Sequence, residues 1–150
     1  MKESGIPERE ELNMKTAILW GTIFGILQAI ISLVAGLNFS SPNVSPQWAA
    51  IACVGLLLSF ILTLLCSLIG AIHAKDFGIG FWAGIISTGF DILTSLIVYV
   101  INPRLLEVGV LAAVISFAIS IGFGIVFSAV GAGIGLFIDR QFIHPAQTQA

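Results

Sequence analysis

With one exception, the 6 basic and 8 acidic residues of this 150-residue chain are confined to four short islands. The islands are residues 2–15, 75–76, 104–107 and 139–140, and together with the uncharged, turn-rich segment 38–46 they delimit four apolar segments. Each segment is long enough to cross a bilayer, for which about 20 apolar residues suffice. Charged residues make up 9% of the chain, whereas soluble domains contain about 25%. Because the apolar runs are continuous and the backbone must satisfy its own hydrogen bonds in lipid, we predict helices.

The sequence thus predicts an all-α integral membrane protein, a four-transmembrane-helix bundle with spans at about 16–37, 47–72, 77–101 and 108–138. Residues 1–15 and 141–150 are expected to form the N-terminal and C-terminal tails. Five of the six basic residues fall on the side of the termini, and Arg104 alone falls on the other. The positive-inside rule therefore predicts that both termini are cytoplasmic. We expect a multi-pass protein of the cell membrane, in contact with the lipid bilayer.

Small residues recur at intervals of four along each span, a spacing that lets membrane helices approach closely. The predicted packing positions are Gly21, Gly25, Gly55, Gly84, Gly124 and Ser128. The row of small residues in the fourth span is longer than one neighbouring helix needs. We therefore expect a homo-oligomer or another membrane-protein partner. The net charge of -2 and the absence of a basic run favour no nucleic-acid partner.

Asp91 is the one charged residue outside the islands, and it lies near the middle of the third span. A carboxyl group at membrane depth is costly unless it is paired, hydrated or neutralised, so it marks a functional-site hypothesis. The midpoints of the other spans bring more polar residues to the same depth, and Ser87, Asp91 and Ser95 share one helix face. The predicted proton or cation site comprises Asp91, Gln28, Thr88, Ser87, Ser95, Ser59 and Ser120.

Two functions are compatible with this pattern. In the first, the chain serves proton- or cation-linked transport, and Asp91 exchanges a proton or binds a cation with neutral oxygen atoms as further ligands. In the second, the chain is a non-catalytic membrane subunit or scaffold, and a neutral Asp91 is hydrogen-bonded to Gln28. The first predicts that Asp91→Asn abolishes ion-dependent behaviour, and the second predicts that it is neutral or stabilising.

Motifs of enzymatic sites do not occur in the sequence. It contains no metal-ligand spacing such as H-x-x-x-H or C-x-x-C and no G-x-S-x-G elbow. Gly131, Gly133 and Gly135 follow no predicted strand, so they do not form a phosphate-binding fingerprint. We therefore expect no enzymatic activity, no cofactor and no metal centre.

Overall fold

The computed structural model of the chain describes residues 6–38, 46–101 and 110–143. These residues form α1 (Ile6–Asn38), α2 (Pro46–Ala74), α3 (Phe77–Ile101) and α4 (Val110–Ile138), and a π-helical turn, Asp139–Ile143, follows α4. The three described segments contain no strand, which confirms the all-α prediction for that part of the chain.

The four long helices are each apolar and long enough to span a membrane. The qualifying stretches are Met14–Gly36, Val54–Ala74, Phe77–Ile101 and Val114–Ile143. Large apolar side chains such as Leu19, Leu57 and Val126 are exposed on the outside of the bundle. The fully buried side chains are small or polar, and the largest of them is Gln28. A soluble domain normally has the opposite distribution, with its large apolar side chains inside.

Helix α1 begins at Ile6, within the segment that we predicted to be a tail. The sequence of that segment explains the difference, because Pro7 suits the first turn of a helix and Glu8, Glu10 and Glu11 are favourable near a helix N-terminus. The predicted starts of α2 and α3 agree with the structure to within a residue.

The two-residue turn between α2 and α3 ends one helix and starts the next. Lys75 has a positive φ of 56°, and the Asp76 amide donates to the Ala71 carbonyl over 3.3 Å, which together form a Schellman motif. The Asp76 side chain then accepts a hydrogen bond from the Ile79 amide at 3.0 Å and so caps the N-terminus of α3.

The helices are arranged around a central pair, α2 and α3. Helix α1 packs most extensively against α3 and also contacts α2, whereas α4 packs against α2 and α3. Glycines make these contacts close, because a side chain at Gly21 would collide with Ile86 and one at Gly25 would collide with Phe90. The closest approach is at Gly84, where a Cβ atom would overlap the hydroxyl groups of Ser67 and Ser128.

The row of small residues on α4 is used largely within the chain. A Cβ atom at Gly124 would meet Thr88, one at Gly131 would meet the Leu64 carbonyl, and Ser128 packs beside Gly84. Gly55, in contrast, would place a Cβ atom at an ordinary distance of 3.8 Å from Ala35 Cβ. Because these positions of α4 contact α2 and α3, they give no independent support for self-association, which stays a prediction.

Candidate functional site

Asp91 lies near the middle of α3, where its half-buried side chain contacts both α1 and α2. The Ser32 hydroxyl group of α1 donates a hydrogen bond to Asp91 Oδ1. Ser59 of α2 lies beside the same carboxyl group. The nearest basic residue on α2 is His73, 14 residues further along the chain, which corresponds to about 20 Å along the helix axis. The described surroundings of the carboxyl group therefore provide hydroxyl groups and no positive charge.

Asp91 forms part of the wall of a cavity of about 300 Å³ to which all four helices contribute. The cavity is lined by Ile31, Ser32, Ala35, Gly36, Gly55, Leu56, Ser59, Asp91, Ser95, Val98, Tyr99, Ser116 and Ser120. Among these lining residues Asp91 is the only charged one. The set comes from the C-terminal halves of α1 and α3 and the N-terminal halves of α2 and α4. The cavity therefore occupies the half of the bundle away from the α2–α3 turn, with Asp91 at its inner end.

The Ser59 hydroxyl group is buried and makes no hydrogen bond of ordinary geometry among the described residues. Ser59 as a whole is 6% exposed and lines the cavity beside Asp91. The Asp91 carboxyl group beside it is the acceptor that this hydroxyl group can approach. A buried hydroxyl group that makes no hydrogen bond costs about 1–3 kcal/mol, and such groups are rare in folded proteins.

Gln28 lies in a second polar cluster, one helical turn closer to the α2–α3 turn than Asp91. Its side chain is 1% exposed, and Gln28 Nε2 donates to the Ser59 carbonyl oxygen at 2.7 Å and to Thr63 Oγ1 at 2.8 Å. Gln28 Oε1 accepts a hydrogen bond from Ser87 Oγ at 2.9 Å. The amide thus joins α1 to α2 and α3, and both of its ends are bonded to residues other than Asp91.

On the side of Gln28 that is nearer the α2–α3 turn, small residues are in contact and close the interior of the bundle. Ser67 Oγ donates to the Thr63 carbonyl oxygen at 3.0 Å, and Ser128 Oγ donates to the Gly124 carbonyl oxygen at 2.7 Å. Both side chains are fully buried, and they flank Gly84. This closed layer separates the cavity from the α2–α3 turn.

The residues predicted for the proton or cation site fall into three groups. Asp91, Ser59, Ser95 and Ser120 line the cavity together. Gln28 and Ser87 form the neighbouring cluster, in which Gln28 Nε2 donates to the Ser59 carbonyl oxygen of the first group. Thr88 packs against Gly124, and its hydroxyl group donates to the Gly84 carbonyl oxygen of its own helix at 3.0 Å.

Three polar lining residues were not predicted from the sequence: Ser32, Ser116 and Tyr99. Ser32 follows Gln28 by four residues, so both side chains had to share a face of α1, and that spacing could have identified it. Ser116 likewise precedes Ser120 by four residues on α4. Tyr99 carries no such signal, since an aromatic residue near the end of a span is equally typical of the membrane interface.

Comparison with known proteins found no protein-family model, curated protein or solved structure that matches this chain.

Proposed function

We propose that the chain is a four-span membrane protein with both termini in the cytoplasm and that it serves proton- or cation-linked transport centred on Asp91. The outward-facing large apolar side chains of all four helices support insertion into a membrane. Exposure of apolar surface to water is unfavourable, and lipid would remove that surface from water. The cytoplasmic orientation rests on the basic residues of the sequence, which lie mainly on the side of the termini.

The depth of Asp91 supports its proposed role. Ten residues separate Asp91 from Ile101 at the end of α3, which corresponds to about 15 Å of helix. The hydrocarbon core of a bilayer is about 30 Å thick, so Asp91 would lie close to its centre. An aspartate at that depth costs about 2.5–3.5 kcal/mol on insertion. Asparagine could accept the same hydrogen bond from Ser32 at a lower cost, so this hydrogen bond does not by itself require an acid.

The observation that carries the proposal is the position of Asp91 at the inner end of the cavity without a basic partner among the lining residues. A carboxylate in such a place attracts a cation or a proton. The cavity lies in the half of the bundle that would face outside. Tyr99 is the other titratable residue in the lining, and α1, α2 and α4 contribute none. A response to cations or pH that originates in the cavity should therefore depend on Asp91.

The test is the thermal unfolding of the purified full chain and of Asp91→Asn in lipid nanodiscs. The midpoint is measured from pH 5 to 8 with Na⁺, K⁺, Ca²⁺ or an organic ammonium salt at several concentrations. A ligand that binds the folded state raises the midpoint in a concentration-dependent way. We expect a cation or pH response in the wild-type chain that is lost in Asp91→Asn. Identical responses of the two chains would exclude Asp91 as the site and favour the scaffold function.

Sidedness is tested separately with reporter fusions to the C-terminus in a bacterial host. A fluorescent protein that matures only in the cytoplasm should be bright, and an alkaline phosphatase that folds only outside should be inactive. The opposite pair of results would reverse the proposed topology. The cavity would then face the cytoplasm.

A further inference from the structure

The cavity is larger and more apolar than a site for a bare ion, and its one charged lining residue, Asp91, lies at its inner end. We propose that it binds a primary organic ammonium ion with a compact apolar body, whose ammonium group pairs with Asp91. This inference rests on the proposed role of Asp91 as a cation site, and it names the class of the cation.

The oxygen ligands in the cavity carry too little negative charge to hold a divalent metal ion tightly. Affinity for such an ion depends on the number of charged ligands. The lining offers one carboxyl group, to which Ser32 already donates, and its other oxygen-bearing side chains are neutral hydroxyl groups. The described part of the chain also contains no group of three or more His, Cys, Asp or Glu side chains that could hold a metal ion.

The size of the cavity fits a small organic molecule. Its volume of about 300 Å³ lies at the lower end of the range for small-molecule sites. A water molecule takes about 30 Å³ in the liquid, so the cavity could accommodate roughly ten water molecules, or an organic molecule with about ten non-hydrogen atoms. A single monovalent metal ion would leave most of this space to water.

The walls favour a ligand with an apolar body. Ile31, Leu56 and Val98 contribute aliphatic side chains, and Tyr99 contributes an aromatic ring. Burying the apolar body of a ligand against such side chains is favourable in proportion to the area removed from water. An aromatic ring in the lining also suits a cation, because its face carries partial negative charge. These walls would add nothing to the binding of a hydrated metal ion.

The inner end of the cavity favours a primary ammonium group over a quaternary one. A primary ammonium group has three N–H donors. The Asp91 carboxylate can accept one of them, and the hydroxyl oxygen atoms of Ser95 and Ser120, which line the cavity with it, can accept others. A quaternary ammonium ion has no N–H group to donate to these oxygen atoms. The number of N–H donors therefore distinguishes the two classes of organic cation.

The experiment measures the binding of phenethylamine to the full chain in nanodiscs by isothermal titration calorimetry at pH 7. The matched probes are 2-phenylethanol, which has a similar shape without the charge, and benzyltrimethylammonium, which has the charge without N–H donors. We expect phenethylamine to bind about tenfold or more tightly than either probe, because a charge-assisted hydrogen bond contributes at least that factor. Asp91→Asn should lose the preference for the amine, and Ser95→Ala should reduce it.

A cavity-filling variant tests the location. A Cβ atom at Gly55 makes ordinary contacts with Ala35 and Ile31, so Gly55→Ala should bind phenethylamine nearly as the wild-type chain does. Gly55→Leu would project further into the cavity and should weaken binding at least tenfold. If Gly55→Leu does not fold, the comparison of wild type with Asp91→Asn decides the question.

The outcomes separate this inference from the proposed function. Stabilisation by Na⁺, K⁺ or Ca²⁺ that depends on Asp91, without amine binding, would refute the organic cation and leave the proposed function standing. The absence of any Asp91-dependent response to protons or cations would refute both. Equal binding of phenethylamine to wild type and Asp91→Asn would show that the amine partitions onto apolar surface, which also refutes the inference.

Discussion

Gln28 should be the polar residue on which the stability of the bundle depends most. Its amide is bonded to the Ser59 carbonyl oxygen, to Thr63 Oγ1 and to Ser87 Oγ, and so holds α1 to two other helices. Gln28→Met keeps a side chain of similar length and removes all three bonds. Hydrogen bonds between membrane helices average about 0.6 kcal/mol, so three of them are worth about 2 kcal/mol. We expect the free energy of unfolding to fall by about that amount.

The assay is equilibrium unfolding in mixed micelles with increasing SDS, followed by tryptophan fluorescence. Ser87→Ala removes one of the three bonds and should cost about 0.6 kcal/mol. The double variant should then show a coupling of similar size, because the Gln28–Ser87 bond can be lost only once. A change of less than about 0.5 kcal/mol in Gln28→Met would refute the reasoning. It would mean that the unfolded chain in the micelle pairs these groups equally well.

Three further predictions concern packing, the turn and the cavity. Gly84→Ala should destabilise the bundle strongly in the same SDS titration, because its Cβ atom would overlap Ser67 and Ser128. A Cβ atom at Gly89 would meet nothing within 4 Å, so Gly89→Ala should be neutral or stabilising by up to about 1 kcal/mol. Asp76→Ala should lower the free energy of unfolding by about 1 kcal/mol through loss of the helix cap, and Asp76→Asn should lose much less. Ser59→Ala should leave the stability of the ligand-free chain unchanged or raise it by about 1 kcal/mol, because a buried hydroxyl group without a partner is removed.

The helices could be predicted because their signals are local. A turn-rich, uncharged segment ending at Pro46 indicates where α2 begins, and Lys75 and Asp76 mark the turn between α2 and α3. The start of α1 could not be predicted from hydropathy, because residues 6–13 precede the stretch that is apolar enough to span a membrane. Helix propensity and acidic residues decide the structure of that segment, and hydropathy does not report them.

The composition of the site was harder to predict. The sequence indicates how deep each side chain lies in the membrane, but two side chains at the same depth are in contact only if their helices also turn them toward each other. Gln28 and Asp91 are close in depth, yet Gln28 bonds to Ser59, Thr63 and Ser87, while Asp91 accepts from Ser32. The helical periodicity of the sequence determines which residues share a face of one helix. It does not determine how each helix is rotated about its axis relative to the neighbouring helices. That rotation depends on side-chain contacts between helices, such as Gly25 against Phe90.

The two halves of the bundle differ in a way that makes access to Asp91 testable. The layer around Gly84 and Ser87 is closed, whereas Ser95 lines the cavity. In a chain whose native cysteines have been replaced, Ser95→Cys should react with a thiol reagent that cannot cross the membrane, added on the side away from the termini. Ser87→Cys should not react, because Ser87 is fully buried.

Phenethylamine should slow the labelling of Ser95→Cys if it occupies the cavity. Equal labelling of the two cysteines would mean that the layer around Gly84 opens as readily as the cavity does. A carrier must open that layer to release its cation on the side of the termini. Labelling of Ser87→Cys by a reagent added on that side, seen only with bound amine, would therefore indicate the conformational change that transport needs. A chain that binds amine and never exposes Ser87→Cys would instead be a receptor or a regulated subunit.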